Sequence, residues 1–195
     1  MYNEIEYWNK RKDPNAKNLW LRNDAFHISF VEQNISDVKN VLDFGPGVGR
    51  IFPAYRKTKS VIGYDITSQH NSVLKSKAYE NNINFEMVNR NNVSEKLPFG
   101  DEQFDAVVCV SVLLHQRPIH ITDVMSELCR VSKKVIVISA YNSSRPFLLP
   151  GEEKDRDFHV FNYDYKSICK NKGWEVDFWE VDYERNQTFF VYKKR

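Results

Sequence analysis

Three glycines set two residues apart, Gly45, Gly47 and Gly49, follow a largely apolar stretch that carries Asp43, and a second carboxylate, Asp65, ends the next apolar stretch. A turn of this kind exposes backbone N–H groups, and a helix beginning after it adds its own, so the polar groups of a nucleoside can approach from that side. A carboxylate at the end of the second strand reaches the ribose from the other side. The spacing therefore implies an enzyme that uses a nucleoside cofactor. The first two glycines permit a sharp turn and close ligand approach, and the third lets a helix start against the sheet. Arg50 stands where the dinucleotide fingerprint GxGxxG has its last glycine, so a pyrophosphate site is not favoured. A plainer structural role stays open for both acids. Asp65 can cap the following helix, and Asp43 can accept N–H bonds from the tight turn.

The elements that must carry these residues alternate. Apolar spacing predicts a helix over residues 18–33, a strand over 39–44, and a helix after the glycine turn with Pro53 in its first turn, where a missing N–H matters little. A second strand spans 60–64, and Thr67 or Ser68 caps a helix reaching Glu80. Strands over 83–88 and 104–110 follow, the latter almost wholly apolar, as expected of a parallel sheet covered on both faces. Pro118 opens a helix with Ile121, Val124, Met125 and Leu128 on one face, and residues 134–139 form strand five. The polar connection over 141–160 is long for its place and is a candidate lid or substrate loop. A helix over 162–172, stopped by Gly173, precedes two strands, 174–181 and 187–192, that no helix separates, so they pair antiparallel at the sheet edge.

In the segments LDFGPGVG, GYDI, LPF, FDAVVCVSVLLHQ, ELCRV and VIVIS the chain resembles the class I S-adenosylmethionine-dependent methyltransferases. The resemblance implies an α/β fold of three layers, Rossmann-like, with a seven-stranded mixed sheet in the order 3-2-1-4-5-7-6 and strand 7 antiparallel. It implies S-adenosyl-L-methionine as cofactor, with Gly45 to Gly49 beneath its methionyl part, Asp43 organising the loop or approaching the amino group, Asp65 on the ribose hydroxyls and Ile66 over an adenine face. Asn91 or Asn92 would meet the adenine edge, although Asn clusters are commonly turns. His115, after strand four, lies where this family receives its acceptor, and imidazole suits proton removal near neutral pH; support of the loop is the alternative. Gln116 is its polar neighbour. Tyr141, Asn142 and Arg145 follow strand five and can enter the same mouth, and His159 joins them if the 141–160 connection folds back. The opening Tyr7-Trp8 with Arg11 resembles a YWxxR start of some small-molecule methyltransferases, where the rings close the pocket.

Composition limits the partners. The 195 residues read as one domain, with a helical cap over 1–35, and a formal net charge of +2 creates no field that demands nucleic acid. No segment approaches the ~20 apolar residues of a membrane span, and the charged start lacks a signal peptide's apolar stretch, so a cytoplasmic protein is expected. Cys109, Cys129 and Cys169 have no CxxC spacing, Cys109 and Cys129 read as small core residues, and no metal is expected. No [DN]PPY follows strand four, which disfavours the base-recognising N-methyltransferases of DNA. The sequence points to methyl transfer onto a hydroxyl or amine of a small polar metabolite or sugar-containing intermediate. An RNA or protein methyltransferase is the alternative, and a noncatalytic interaction protein built on the same fold is another. Homo-oligomerisation is left open.

Overall fold

Alternation within short apolar runs decides which layer each strand residue joins. In the computed structural model, which describes residues 3–10, 24–89, 96–141, 160–184 and 186–195 (backbone alone at positions 141 and 171), five runs form parallel strands. These are β1 (Asn40–Phe44), β2 (Ser60–Asp65), β3 (Phe85–Asn89), β4 (Phe104–Val110) and β5 (Ser132–Tyr141). A hairpin of β6 (Trp174–Asp182) and β7 (Gln187–Lys194) completes a seven-stranded sheet in the order β3-β2-β1-β4-β5-β7-β6. β7 lies antiparallel to both β5 and β6, as the family's pattern requires.

Val41, Ala106, Val108, Val135 and Val137 face one layer, and Leu42, Val107, Cys109, Ile136 and Ile138 the other. The first layer is covered by α2 (Ala25–Asn34) through Phe30 and Val31 and by α3 (Asn71–Glu80) through Leu74 and Ala78. The second is covered by α4 (Pro118–Val131), whose Ile121, Val124, Met125 and Leu128 are buried on one face as their spacing implies. A short α1 (Glu4–Lys10) stands apart from these layers. Asp105 fixes the start of β1 against β4 by accepting the N–H groups of Lys39 and Asn40 at 2.9 and 3.2 Å. All three cysteines are buried free thiols. No described helix is long and apolar enough to cross a membrane.

Three expected features differ. The helix after the glycine turn is a single 3-10 turn, Phe52–Tyr55. Pro53 withholds one donor, and residues 50–59 are all the chain has before β2. A 3-10 turn also places residues i and i+3 on the same side, which lets Phe52 and Tyr55 both reach full burial. Backbone donors after β1 therefore come from the loop itself and not from an extended helix. Neither Thr67 nor Ser68 caps α3, which starts after His70; the Thr67 hydroxyl instead accepts the Gln69 N–H at 3.2 Å. Residues 162–172 form turns and a 3-10 segment, Lys170–Lys172, not a helix. There the Asp164 carboxylate takes the Lys166 N–H and the Ser167 hydroxyl, local bonds that compete with a helical ladder. Of the helix expected over 18–33, residues 25–34 are helical, and 18–23 lie outside the described residues.

Candidate active site

The carboxyl ends of β1, β2 and β4 open on one cleft, at the edge of the sheet where strand order reverses. Each strand delivers a different kind of group. From β1 come Asp43 and the loop at Gly45, Pro46, Gly47 and Val48; from β2, Asp65, Ile66, Thr67 and His70; from β4, Ser111, Val112, His115 and Gln116.

Sterics fix the loop. Gly45 has φ +78°, and a Cβ there would lie 2.4 Å from Val112 Cγ2, so only glycine lets β1 and the β4 connection approach this closely. Gly47 has φ +56°, but a Cβ there would meet nothing within 4 Å, because the position faces the open cleft. The Gly45 N–H donates to Tyr64 O at 2.9 Å, tying the loop to β2. Gly49 turns away from the cleft toward Leu74 and Phe52, in keeping with a packing role.

Asp65 bridges two turns. One oxygen accepts the Thr67 N–H at 3.1 Å, and the other stands 3.4 Å from the Gly47 nitrogen. Burial raises its pKa, while the N–H groups of Thr67 and Gly47 work against that. A carboxylate has about four lone-pair sites, so with these backbone donors Asp65 retains acceptor capacity toward the cleft.

Asp43 is enclosed more tightly, at 1% exposure, and its Oδ2 has no hydrogen-bond partner. Burial pushes its pKa up to about 7; the Tyr55 phenol opposes this, Asp65 adds to it and Arg50 opposes it. Arg50 is itself held by Asp24, with Nη1 2.8 Å from Oδ1. Behind Asp24, His27 lies with Nδ1 3.8 Å from Asp24 Oδ1 and Nε2 3.0 Å from Asp182 Oδ2, so a row of polar side chains runs from the cleft wall to the end of β6.

The β4 side is neutral and polar. Ser111 has φ +60°, a conformation its surroundings impose: its N–H donates to Ser139 Oγ at 2.9 Å, and the Gln187 amide donates to its hydroxyl at 3.1 Å. Gln116 is 3% exposed with Oε1 lacking a partner. The Trp8 ring packs edge-on to His115 with centroids 4.9 Å apart, and Tyr7 packs on Trp8 at 5.1 Å. α1 is pinned at both ends. Glu4, buried at 1%, accepts the Arg117 N–H at 2.9 Å, and the Gln69 side chain donates to Asn9 O. The helix thus spans the mouth from the β4 side to the β2 side.

Of the residues singled out in the sequence, Asp43, Gly45, Gly47, Asp65, Ile66, His115, Gln116 and Trp8 meet at this cleft, and Tyr7 supports Trp8 from outside it. Arg11, Asn91, Asn92, Asn142, Arg145 and His159 lie outside the described residues, as does the side chain of Tyr141 at the end of β5. Arg50, His70 and Ser111 also line the cleft. Ser111 was legible as the first polar residue after the apolar run of β4. Nothing in the spacing signalled that Arg50 would meet Asp24.

A family model described as a methyltransferase domain matches residues 41–134. The chain is similar to the erythromycin 3''-O-methyltransferase of Saccharopolyspora erythraea, with 28% identity over 121 residues that make up 60% of this chain and 38% of that protein. The chain thus spans well under half the length of that relative. Among solved structures, the magnesium protoporphyrin IX methyltransferase of Synechocystis PCC 6803 with bound SAH superposes with a TM-score of 0.73 at 16% identity, covering 99% of this chain and 100% of that one. A Pyrococcus horikoshii OT3 protein gives 0.71 at 18% identity, with both chains covered completely. These two likenesses concern the fold. The family match runs from β1 into β5, across the strands that carry the glycine loop, Asp65 and His115, so residues 41–134 are similar to a methyltransferase domain.

Proposed function

We propose that this protein transfers a methyl group from S-adenosylmethionine to a hydroxyl or amine of a small polar metabolite or sugar-containing intermediate. The observation that carries the reading is the Asp65 carboxyl set against the Gly47 N–H at the floor of an open cleft. The residues present fit the cofactor. Asp65 has acceptor capacity for ribose hydroxyls, Ile66 offers an apolar wall to the adenine, the loop is open at Gly47, and Asp43 has one oxygen without a partner for the amino group.

S-adenosylmethionine, when bound, supplies an electrophilic methyl on a sulfonium sulfur, so much of the protein's task is positioning and exclusion of water. Ser111 and Gln116 orient the acceptor by hydrogen bonding. His115 takes the acceptor's proton as the new bond forms. Trp8 and α1 cover the mouth. Among the described walls the β4 side has no carboxylate, which suits an uncharged acceptor. The named activity of the Saccharopolyspora relative, an O-methyltransferase, supports a hydroxyl as the receiving group.

Incubation with methyl-labelled cofactor and fractionated cell metabolites, with the product identified by mass, tests the reading. Asp65→Ala is expected to weaken cofactor binding by at least about tenfold, the loss of ~1.4 kcal/mol of charge-assisted hydrogen bonding. His115→Ala should leave binding within about twofold and lower turnover by roughly 10²-fold or more, the usual scale of a positioned base. A protein that folds and does not bind the cofactor would overturn the assignment. Unchanged turnover in His115→Ala would remove the histidine from the chemistry.

A further inference from the structure

We propose that Tyr55 is a positioning residue of the cofactor site: its buried phenol, outside the cleft wall, faces Asp43 and keeps that carboxyl in the charged state that receives the amino group of an amino-acid-bearing nucleoside. The inference rests on the reading of this cleft as the S-adenosylmethionine site.

Four observations meet at this pair. Asp43 follows Val41 by two residues on β1, so its side chain points into the same layer as Val41, the layer that also contains Tyr55. That layer is otherwise built from Val61, Leu74, Ala106, Val108 and similar apolar groups, in which phenylalanine would pack as well as tyrosine. Tyr55 is nonetheless a tyrosine at 0% exposure, and its Oη and Asp43 Oδ2 both lack a partner with hydrogen-bond geometry. Asp43 alone of the two also lines the cleft. A buried phenol beside a buried carboxyl, each unsatisfied, is an incomplete polar cluster, and such clusters are retained where a ligand completes them.

The groups facing the pair set the direction of the effect. Burial opposes charge on Asp43, Asp65 adds to that opposition, and Tyr55 and Arg50 counter it. Cys109, a buried thiol, also acts electrostatically on Tyr55. Removing the phenolic hydroxyl leaves Arg50 alone against burial and Asp65. The carboxyl then holds its proton to higher pH and meets a cationic amino group less often near neutrality.

Tyr55→Phe keeps the ring and tests this. Binding is measured by calorimetry from pH 6 to 8.5 with two probes, S-adenosylhomocysteine, which carries the amino acid, and 5′-methylthioadenosine, which does not. For S-adenosylhomocysteine the variant's dissociation constant is expected to exceed that of the unmodified protein by about three- to tenfold at pH 6.5 and to converge with it by pH 8.5. For 5′-methylthioadenosine the two proteins should agree throughout. Any titration of the ligand's own amino group cancels in the comparison. A constant ratio across the pH range, no difference at all, or an equal loss of 5′-methylthioadenosine binding would each overturn the role of Tyr55. Asp43→Asn separates this from the wider reading. If that variant binds S-adenosylhomocysteine normally, Asp43 does not receive the amino group and the inference fails while the reading of the cleft stands; if the folded unmodified protein binds neither probe, the reading of the cleft itself fails. If it loses binding while Tyr55→Phe titrates like the unmodified protein, only the inference fails.

Discussion

Replacing Asp43 with asparagine should make the ligand-free protein more stable at pH 8 even as it weakens cofactor binding. Burial raises the Asp43 pKa from 3.8 to about 7, against the opposing phenol of Tyr55. In the unfolded chain the carboxyl loses its proton near the lower value, and in the native state it keeps it to the higher one. Across that window the native state binds more protons than the unfolded state, so stability falls as pH rises. The contribution is fully present below the unfolded pKa and is gone once pH has passed the folded one. At about 1.4 kcal/mol for each pH unit, the loss by pH 8 amounts to about 4 kcal/mol. Typical domains are stable by about 5–15 kcal/mol, so this is a large share. Asparagine keeps the shape without the charge. Part of that loss has already occurred by pH 5, so denaturant unfolding of both proteins at pH 5 and pH 8 should show the unmodified protein losing about 2–3 kcal/mol more than Asp43→Asn between the two. Acids remote from Asp43 are common to both and drop out of the difference, whereas Asp65, which interacts with the Asp43 charge, contributes to it. Equal pH dependence in the two proteins, or an Asp43→Asn variant less stable at pH 8, would refute the reasoning.

Two further substitutions separate packing from ligand contact. Gly45→Ala places a Cβ 2.4 Å from Val112 at φ +78°, and should lower stability by about 2 kcal/mol or more, read as a melting shift of several degrees. Gly47→Ala meets no neighbour within 4 Å, so its strain of about 1 kcal/mol should be small beside the loss of cofactor affinity caused by a methyl in the cleft; the reverse ranking in melting and titration experiments would show that Gly47 does not face the ligand. Trp8→Ala removes a ring from the cleft mouth and its contact with His115, and should speed cofactor release roughly tenfold in stopped-flow measurements while leaving the melting temperature nearly unchanged. An unaltered release rate would mean that α1 does not cover the site.

The parts of the fold set by periodicity were readable in the chain. Short apolar runs between turn signals marked the strands, and the hairpin after Trp174 announced itself by the lack of any helical crossover before β7. The α4 stripe needed only the spacing of Ile121, Val124, Met125 and Leu128. What failed were the short connections, where two forces of similar size compete. After Gly49 the burial of Phe52 and Tyr55 selected a 3-10 turn where local pattern suggested a helix, and at Asp164 side-chain bonds to nearby backbone did the same. In the site, residues adjacent to strand ends were legible because strand ends fix position. The Asp24–Arg50 pair and the Ser111–Ser139–Gln187 cluster join residues distant in sequence, and no spacing encodes such a contact.

The two sides of the cleft differ in charge, and the difference bears on how one site can hold a cation and still let it react. Both carboxylates among the described walls, Asp43 and Asp65, come from β1 and β2, and Arg50 stands beside them already engaged by Asp24. The β4 side presents Ser111, Val112, His115 and Gln116. On the proposed reading, a cofactor that carries positive charge would be held at its sugar and amino-acid ends, away from the methyl to be transferred. Were a carboxylate placed next to the sulfonium on the acceptor side, it would stabilise the charge that is lost as transfer proceeds and so raise the barrier. A neutral acceptor wall avoids that stabilisation of the ground state. On the proposed reading its polar groups orient a hydroxyl or amine, and Asp43, whose charge opposes folding near neutral pH, becomes favourable when a cation is there to meet it.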